Sequence, residues 1–160
     1  MLVTPHASQT FDPTLTKNLR IALICSQFNE QFTAILEKKC RETLLQHGVP
    51  EQQIKSFAVP GALEIPVVAQ KLAQTQQYDV LIALGLVLKG DTYHFELVAN
   101  ECARGCMDIS IRQEIPVIME VLAAYSLEQA AIRCGDNDQN KGIEAALVAL
   151  GIAATLQTIA

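Results

Sequence analysis

Residues 21–25, Ile-Ala-Leu-Ile-Cys, form a short uninterrupted apolar run, and the segments 54–59, 80–84 and 116–122 are similar. A strand with one wet face alternates apolar and polar side chains, whereas a strand covered on both faces has no polar side to show. Runs of this kind demand helices on both faces of one sheet, and the intervening segments supply them. Phe32, Ile35, Leu36, Cys40, Leu44 and Leu45 recur at three-to-four spacing and stop at His47-Gly48, a helix-terminating pair. A second helix is expected over 62–72, with Pro66 tolerated in its first turn, and a third over 92–111. Ser126 reads as an N-cap with Gln129 completing a capping box, Gly135 ends that short helix, and an Ala-rich helix follows over 140–158. Strands alternating with helices give an α/β fold: an open, mostly parallel sheet that binds ligands at the carboxyl ends of its strands. Residues 1–17, with two prolines and no sustained periodicity, read as an N-terminal arm, and 18–160 as a single domain.

Composition narrows the class. A chain of 160 residues, 50% hydrophobic and 18% charged, has enough apolar material for one buried core. Aromatics are only 5% and Trp is absent, so that core consists of small and branched aliphatics. A mean hydropathy of +0.23 implies that much apolar surface is buried between subunits. The net charge of −5 and pI near 5.1 exclude a nucleic acid as the main partner, since a polyanion needs a basic face, but leave room for a small anion held by local cations. Cys25, Cys40, Cys102, Cys106 and Cys134 are odd in number, contain no C-x-x-C and follow no signal peptide. They are expected as free thiols in a reducing compartment, the cytosol. No segment reaches the ~20 uncharged residues of a membrane span.

The strand-end loops 26–29, 60–64, 85–92 and 123–125 should converge along one rim. The segment from Gly85 to Thr92 has the glycine and threonine spacing of a P-loop, but Asp91 stands where the lysine belongs and would face nucleotide phosphates with a carboxylate. What survives is a helix N-terminus whose Asp91 and Thr92 backbone N–H groups can hold one phosphate or sulfate. The structural alternative is that Gly90 permits the turn and Thr92 caps the helix. His94 follows within the same helix, as a surface residue or as a group that exchanges a proton near neutral pH. Cys102 and Cys106 lie eight and twelve residues further on, about 12 and 18 Å away along a helix, which excludes a shared metal ion and a Cys–His pair. Glu64 either complements a helix dipole or accepts hydrogen bonds from a polyhydroxyl ligand. Phe28, a lone aromatic in a polar loop, is a lid on the core or a platform for a flat ring. Arg133 and Lys141 flank the loop 136–139: they either pair with Asp136 and Asp138 or grip a phosphate and a carbonyl.

Taken together, these segments are specific. Ser26-Gln27-Phe28-Asn29, Val59-Pro60-Gly61-Ala62-Leu63-Glu64-Ile65-Pro66, Ala83-Leu84-Gly85 with Gly90-x-Thr92-x-His94-Phe95-Glu96, and Glu128-Gln129-Ala130 with Arg133 and then Asn140-Lys141-Gly142 resemble the lumazine synthase family in order and spacing. The likeness runs from about Leu19 to the final helix. The resemblance implies a flavodoxin-like three-layer sandwich around a four-stranded parallel sheet, assembled into pentamers or multiples of pentamers with active sites between neighbouring subunits. It implies the penultimate step of riboflavin biosynthesis: 5-amino-6-(D-ribitylamino)uracil and 3,4-dihydroxy-2-butanone 4-phosphate condense to 6,7-dimethyl-8-ribityllumazine, with no metal or organic cofactor. Riboflavin synthase is the further partner implied, and the cytoplasm the location.

The same resemblance assigns roles. Phe28 would stack on the pyrimidine, Ala62, Leu63, Glu64, Leu86, Val87 and Leu88 would line it, and Glu64 would bind the ribityl hydroxyls. Asp91 and Thr92 N–H groups with Arg133 would hold the phosphate. His94, Arg133 and Lys141 would be the catalytic groups, with Arg133, Lys141 and Met119 contributed by the adjacent subunit. Leu63, Lys89, Met119-Glu120, Ala123-Ala124 and Gln139 depart from the family pattern. Two alternatives share the scaffold: a non-catalytic flavin or lumazine binder, which would need no phosphate grip, and the archaeal type of riboflavin synthase.

Overall fold

Every position of β1 (Ile21–Ser26) is buried, and β1 pairs in parallel with β2 (Ile54–Val59) on one side and β3 (Val80–Leu88) on the other. β4 (Val117–Ala124) adds in parallel to β3, giving the order β2-β1-β3-β4. This computed structural model describes residues 9–160. Alternate side chains of the central strands feed two cores. Ile21, Leu23, Ile82 and Leu84 pack under α2 (Glu30–Gln46) and α6 (Lys141–Ile159), against Cys40, Leu44, Ala149 and Leu150. Ala22, Ile24, Leu81 and Ala83 pack under α3 (Ile65–Gln74) and α4 (His94–Gln113), against Ile65, Ala69, Val98 and Cys102. The result is the three-layer α/β sandwich with four parallel strands that the sequence implies. All five cysteines are free and buried.

Several local expectations change. The run 54–59 is an edge strand, with Lys55, Ser56 and Ala58 exposed rather than covered. Exposed Lys55 and Ser56 put polar side chains on this edge strand. Arg41 of α2 fastens it: Nη1 donates to Glu51 Oε1 at 2.7 Å and Nη2 to Ser56 Oγ at 2.6 Å. Residues 9–17 of the expected arm are not loose either. Asp12 caps α1 (Pro13–Asn18) by accepting from the Thr14 N–H at 2.8 Å, Leu15 and Thr16 are buried, and Phe11 meets the His47 ring edge-on at 5.3 Å. Residues 1–8 of that arm lie outside the described residues. The helix expected over 62–72 begins as a 3₁₀ turn, Ala62–Glu64, before α3. The capping box before α5 (Leu127–Cys134) is shifted by one residue: Ser126 Oγ accepts from the Gln129 N–H, while Gln129 Oε1 accepts from Tyr125 N–H.

The start of α6 is tightly seated. Asn140 is buried, its Oδ1 accepts from the Gly142 N–H at 2.8 Å, and its Nδ2 donates to Gly135 O at 2.8 Å. A Cβ at Gly142 would stand 2.2 Å from the Leu36 carbonyl oxygen, so only glycine lets α6 lie this close to α2. By length and composition, the 19-residue α6 is long and apolar enough to cross a membrane. Here Ala145, Ala146, Ala149, Leu150 and Ala153 form a stripe seated on α2 and the sheet.

Candidate active site

Because all four strands are parallel, their carboxyl-terminal loops share one edge of the sheet. Backbone and side-chain bonds tie those loops together. Gln27 and Phe28 N–H groups donate to Val59 O and Pro60 O, Asn29 Nδ2 donates to Leu86 O at 2.9 Å, and Lys89 N–H donates to Ala124 O.

At the β1–β2 end, Phe28 is 71% exposed, which removes its reading as a lid on the core. Its ring leans on Gly61: a Cβ there would lie 2.9 Å from Phe28 Cδ2, so a side chain at this position would push the ring away. The outward face of the ring is open for stacking. Glu64 reaches back rather than out, Oε2 accepting from the Gly61 N–H at 2.9 Å. The carboxylate's other oxygen keeps its acceptor capacity for a ligand. Ala62 is buried and Leu63 exposed beside it.

The β3 end corrects the expectation of a loop over 85–92. β3 continues to Leu88, with Leu86, Val87 and Leu88 paired to Leu122, Ala123 and Ala124 of β4. A glycine inside a strand read as the strand's end. Only residues 89–93 form the turn, and α4 starts at His94 with Tyr93, not Thr92, at its N-cap. The N–H groups expected to hold an anion therefore lie in the turn rather than at the helix N-terminus: Asp91, Thr92 and His94 are exposed, and among the described residues the Asp91 and Thr92 N–H groups and the His94 ring have no hydrogen-bond partner. Lys89 folds back over Tyr125 at 5.1 Å and Phe95 at 6.0 Å, with Glu96 Oε1 3.6 Å from its Nζ. Glu96 Oε2 is buried without a partner among the described residues.

At the β4 end, a cavity of about 280 Å³ is lined by Leu86, Leu122, Tyr125, Gln129, Ala130 and Arg133, among others. Arg133 is exposed and makes no ion pair among the described residues. Its expected surface partner Asp136 is taken by Lys39 at 2.7 Å, and the resulting ion pair holds the Asp136 carboxyl below its usual range. Lys141 likewise leaves the acidic loop and pairs with Glu144, one turn into α6. Neither His94 nor Phe28 lines the Arg133 cavity. Met119 is exposed on β4, on the opposite face of the sheet from Lys141.

The motif reading passed over Tyr125, which takes the Lys89 ammonium on its ring face, Glu144, which pairs with Lys141, and Glu120 on β4. Burial pushes the Glu120 carboxyl up to about 7, with the Glu144 carboxylate adding to the rise and Lys141 opposing it. An acid in the middle of an apolar strand was the available signal.

A stacking ring, an open carboxylate oxygen, free backbone donors, an imidazole and an unpaired guanidinium on one rim suit a flat, polyhydroxylated molecule and a phosphate ester. The comparisons with known proteins agree. The sequence model of the family described as 6,7-dimethyl-8-ribityllumazine synthase matches residues 18–157. A protein named 6,7-dimethyl-8-ribityllumazine synthase from Acidovorax sp. (strain JS42) is 41% identical over 150 residues, which cover 94% of this chain and 95% of that protein. A match of this extent, running through all four strand-end loops, makes the chain a member of the 6,7-dimethyl-8-ribityllumazine synthase family.

Proposed function

We propose that the rim condenses 5-amino-6-(D-ribitylamino)uracil with 3,4-dihydroxy-2-butanone 4-phosphate to 6,7-dimethyl-8-ribityllumazine in riboflavin biosynthesis. Family membership over residues 18–157 carries this reading. Phe28 stacks on the pyrimidine, the segments 62–64 and 86–88 line it, and Glu64 takes ribityl hydroxyls on its open oxygen. The Asp91 and Thr92 N–H groups and Arg133 hold the phosphate, and Lys141 serves as a point charge beside them. His94 moves protons as the imine forms and phosphate leaves. Riboflavin synthase consumes the product.

The site is shared between subunits of a pentamer or a multiple of pentamers, with Arg133, Lys141 and Met119 coming from the neighbour. In support, Arg133 opens into a cavity that neither His94 nor Phe28 lines. Val67, Leu97, Met107 and Ile111 also leave apolar surface exposed on α3 and α4. The reducing cytoplasm suits five unpaired thiols.

The test is to mix the protein with both substrates and follow the lumazine chromophore. Its appearance is the expected result. Conversion of supplied lumazine to riboflavin would point instead to the archaeal-type riboflavin synthase, and binding of lumazine with no turnover of either kind to a non-catalytic binder. Sedimentation of the active protein at micromolar concentration should show an oligomer; a folded, active monomer would overturn the shared site.

A further inference from the structure

The cavity at the β4 end holds more donors than the guanidinium of Arg133. Gln129 stands one helical turn before Arg133 on α5, so the two side chains lie on the same side of the helix, and both line the cavity. Tyr125, just ahead of the Ser126 cap, forms another wall. Leu86 and Leu122 add apolar lining, and among the described residues no carboxylate lines the space. A guanidinium facing a cavity without acids favours an anion there.

Hydrogen bonding fixes the orientation of the Gln129 amide. Its Oε1 accepts from the Tyr125 backbone N–H at 2.9 Å, and since that N–H can only donate, the oxygen must face it. Nε2 is left as a donor with no hydrogen-bond partner among the described residues. Tyr125 is 65% exposed, yet it is restrained. Gln129 holds its backbone, the Lys89 ammonium stands 5.1 Å from its ring centre, and the Phe95 ring tilts against it at 5.7 Å. Glu96 Oε1, 3.6 Å from the same ammonium, keeps Lys89 in place. These contacts engage the ring and leave the phenol O–H without a partner among the described residues. A ring already held at several points loses little freedom when it binds a ligand.

We propose that Tyr125 and Gln129 bind the phosphate of the butanone substrate: the phenol O–H and the Gln129 Nε2 donate to it beside the Arg133 guanidinium, all three from one subunit. The inference rests on the reading of Arg133 as the phosphate grip. A guanidinium fork covers two oxygens of an anion. A phosphate monoester has a third terminal oxygen for the two neutral donors, whereas a carboxylate has none, so this donor set selects a phosphate ester over a carboxylate.

The experiment is calorimetric titration of inorganic phosphate into the intact oligomer with neither substrate present. Tyr125→Phe keeps the ring and removes only the hydroxyl, so Kd should rise about tenfold, the value of one hydrogen bond to a charged acceptor. Gln129→Glu keeps an oxygen for the Tyr125 N–H but puts an anion where the donor was, so Kd should rise by more than tenfold. Parental affinity in Tyr125→Phe overturns the assignment of Tyr125, and parental affinity in Gln129→Glu that of Gln129. A parent protein that takes up no phosphate overturns both. Titration needs no turnover: a protein that binds phosphate in this way but forms no lumazine would sink the proposed activity and leave the phosphate site standing.

Discussion

His94→Ala should lower turnover by about 10²-fold while leaving KM for both substrates near the parent values. Positioned acid–base groups contribute ~10²- to 10⁴-fold. The lower end applies here because an amine and a ketone condense unaided, so the enzyme has less of the barrier to remove. The expectation of unchanged binding has a structural reason: the exposed His94 ring makes no hydrogen bond among the described residues, so its loss disturbs neither the Asp91–Thr92 turn nor α4. Initial rates at saturating substrates across the neutral pH range decide the matter. A variant whose rate–pH curve superimposes on the parent's would make His94 a bystander.

Arg133→Ala should cost about 1.5 to 3 kcal/mol of transition-state binding, or roughly ten- to over a hundredfold in kcat/KM, the value of a charge-assisted hydrogen bond. The loss should fall on KM for the butanone phosphate, with affinity for the pyrimidine nearly intact. Surface ion pairing cannot supply a competing explanation, since Asp136 is held by Lys39 and Arg133 makes no ion pair among the described residues. Arg133→Lys should recover only part of the loss, because a point charge does not reproduce two parallel donors. Inorganic phosphate should compete with the butanone substrate in the parent and far less in Arg133→Ala. Equal inhibition of both proteins would place the anion elsewhere.

What the sequence discloses of this fold is what periodicity can carry. The runs at 21–25 and 80–84 are continuous because both faces of β1 and β3 are covered, and the helix α2 stops at His47 where its apolar spacing stops. What it conceals depends on partners far along the chain. Leu86, Val87 and Leu88 belong to β3 because β4 pairs with them, although Gly85 interrupts the apolar pattern. α1 has six residues, too few to show a helical period, and is held by burial of Leu15 and Thr16. The site was legible as words: three of the motifs fall at strand ends of one parallel sheet, whereas Arg133 lies in α5 and Lys141 at the start of α6. The pairing of Lys141 with Glu144 could be read from helical spacing. Spacing could not show that Lys39 takes Asp136, leaving Arg133 without an ion pair among the described residues.

The separation of His94 from the Arg133 cavity has a statistical consequence. If each reaction centre takes its imidazole from one chain and its guanidinium from the next, two crippled proteins can mend each other. His94→Ala chains carry a sound Arg133, and Arg133→Ala chains carry a sound His94. When equal amounts are unfolded together and reassembled at random into rings, about one junction in four joins the two sound halves, while the complementary quarter joins both defects. The mixture should then regain about a quarter of parental activity, far above either protein alone. Activity that stayed at the average of the two would mean that both residues serve a centre within one chain. A ring built this way cannot be inactivated as a whole by a defect in one member, because every chain takes part in two centres and shares neither of them entirely.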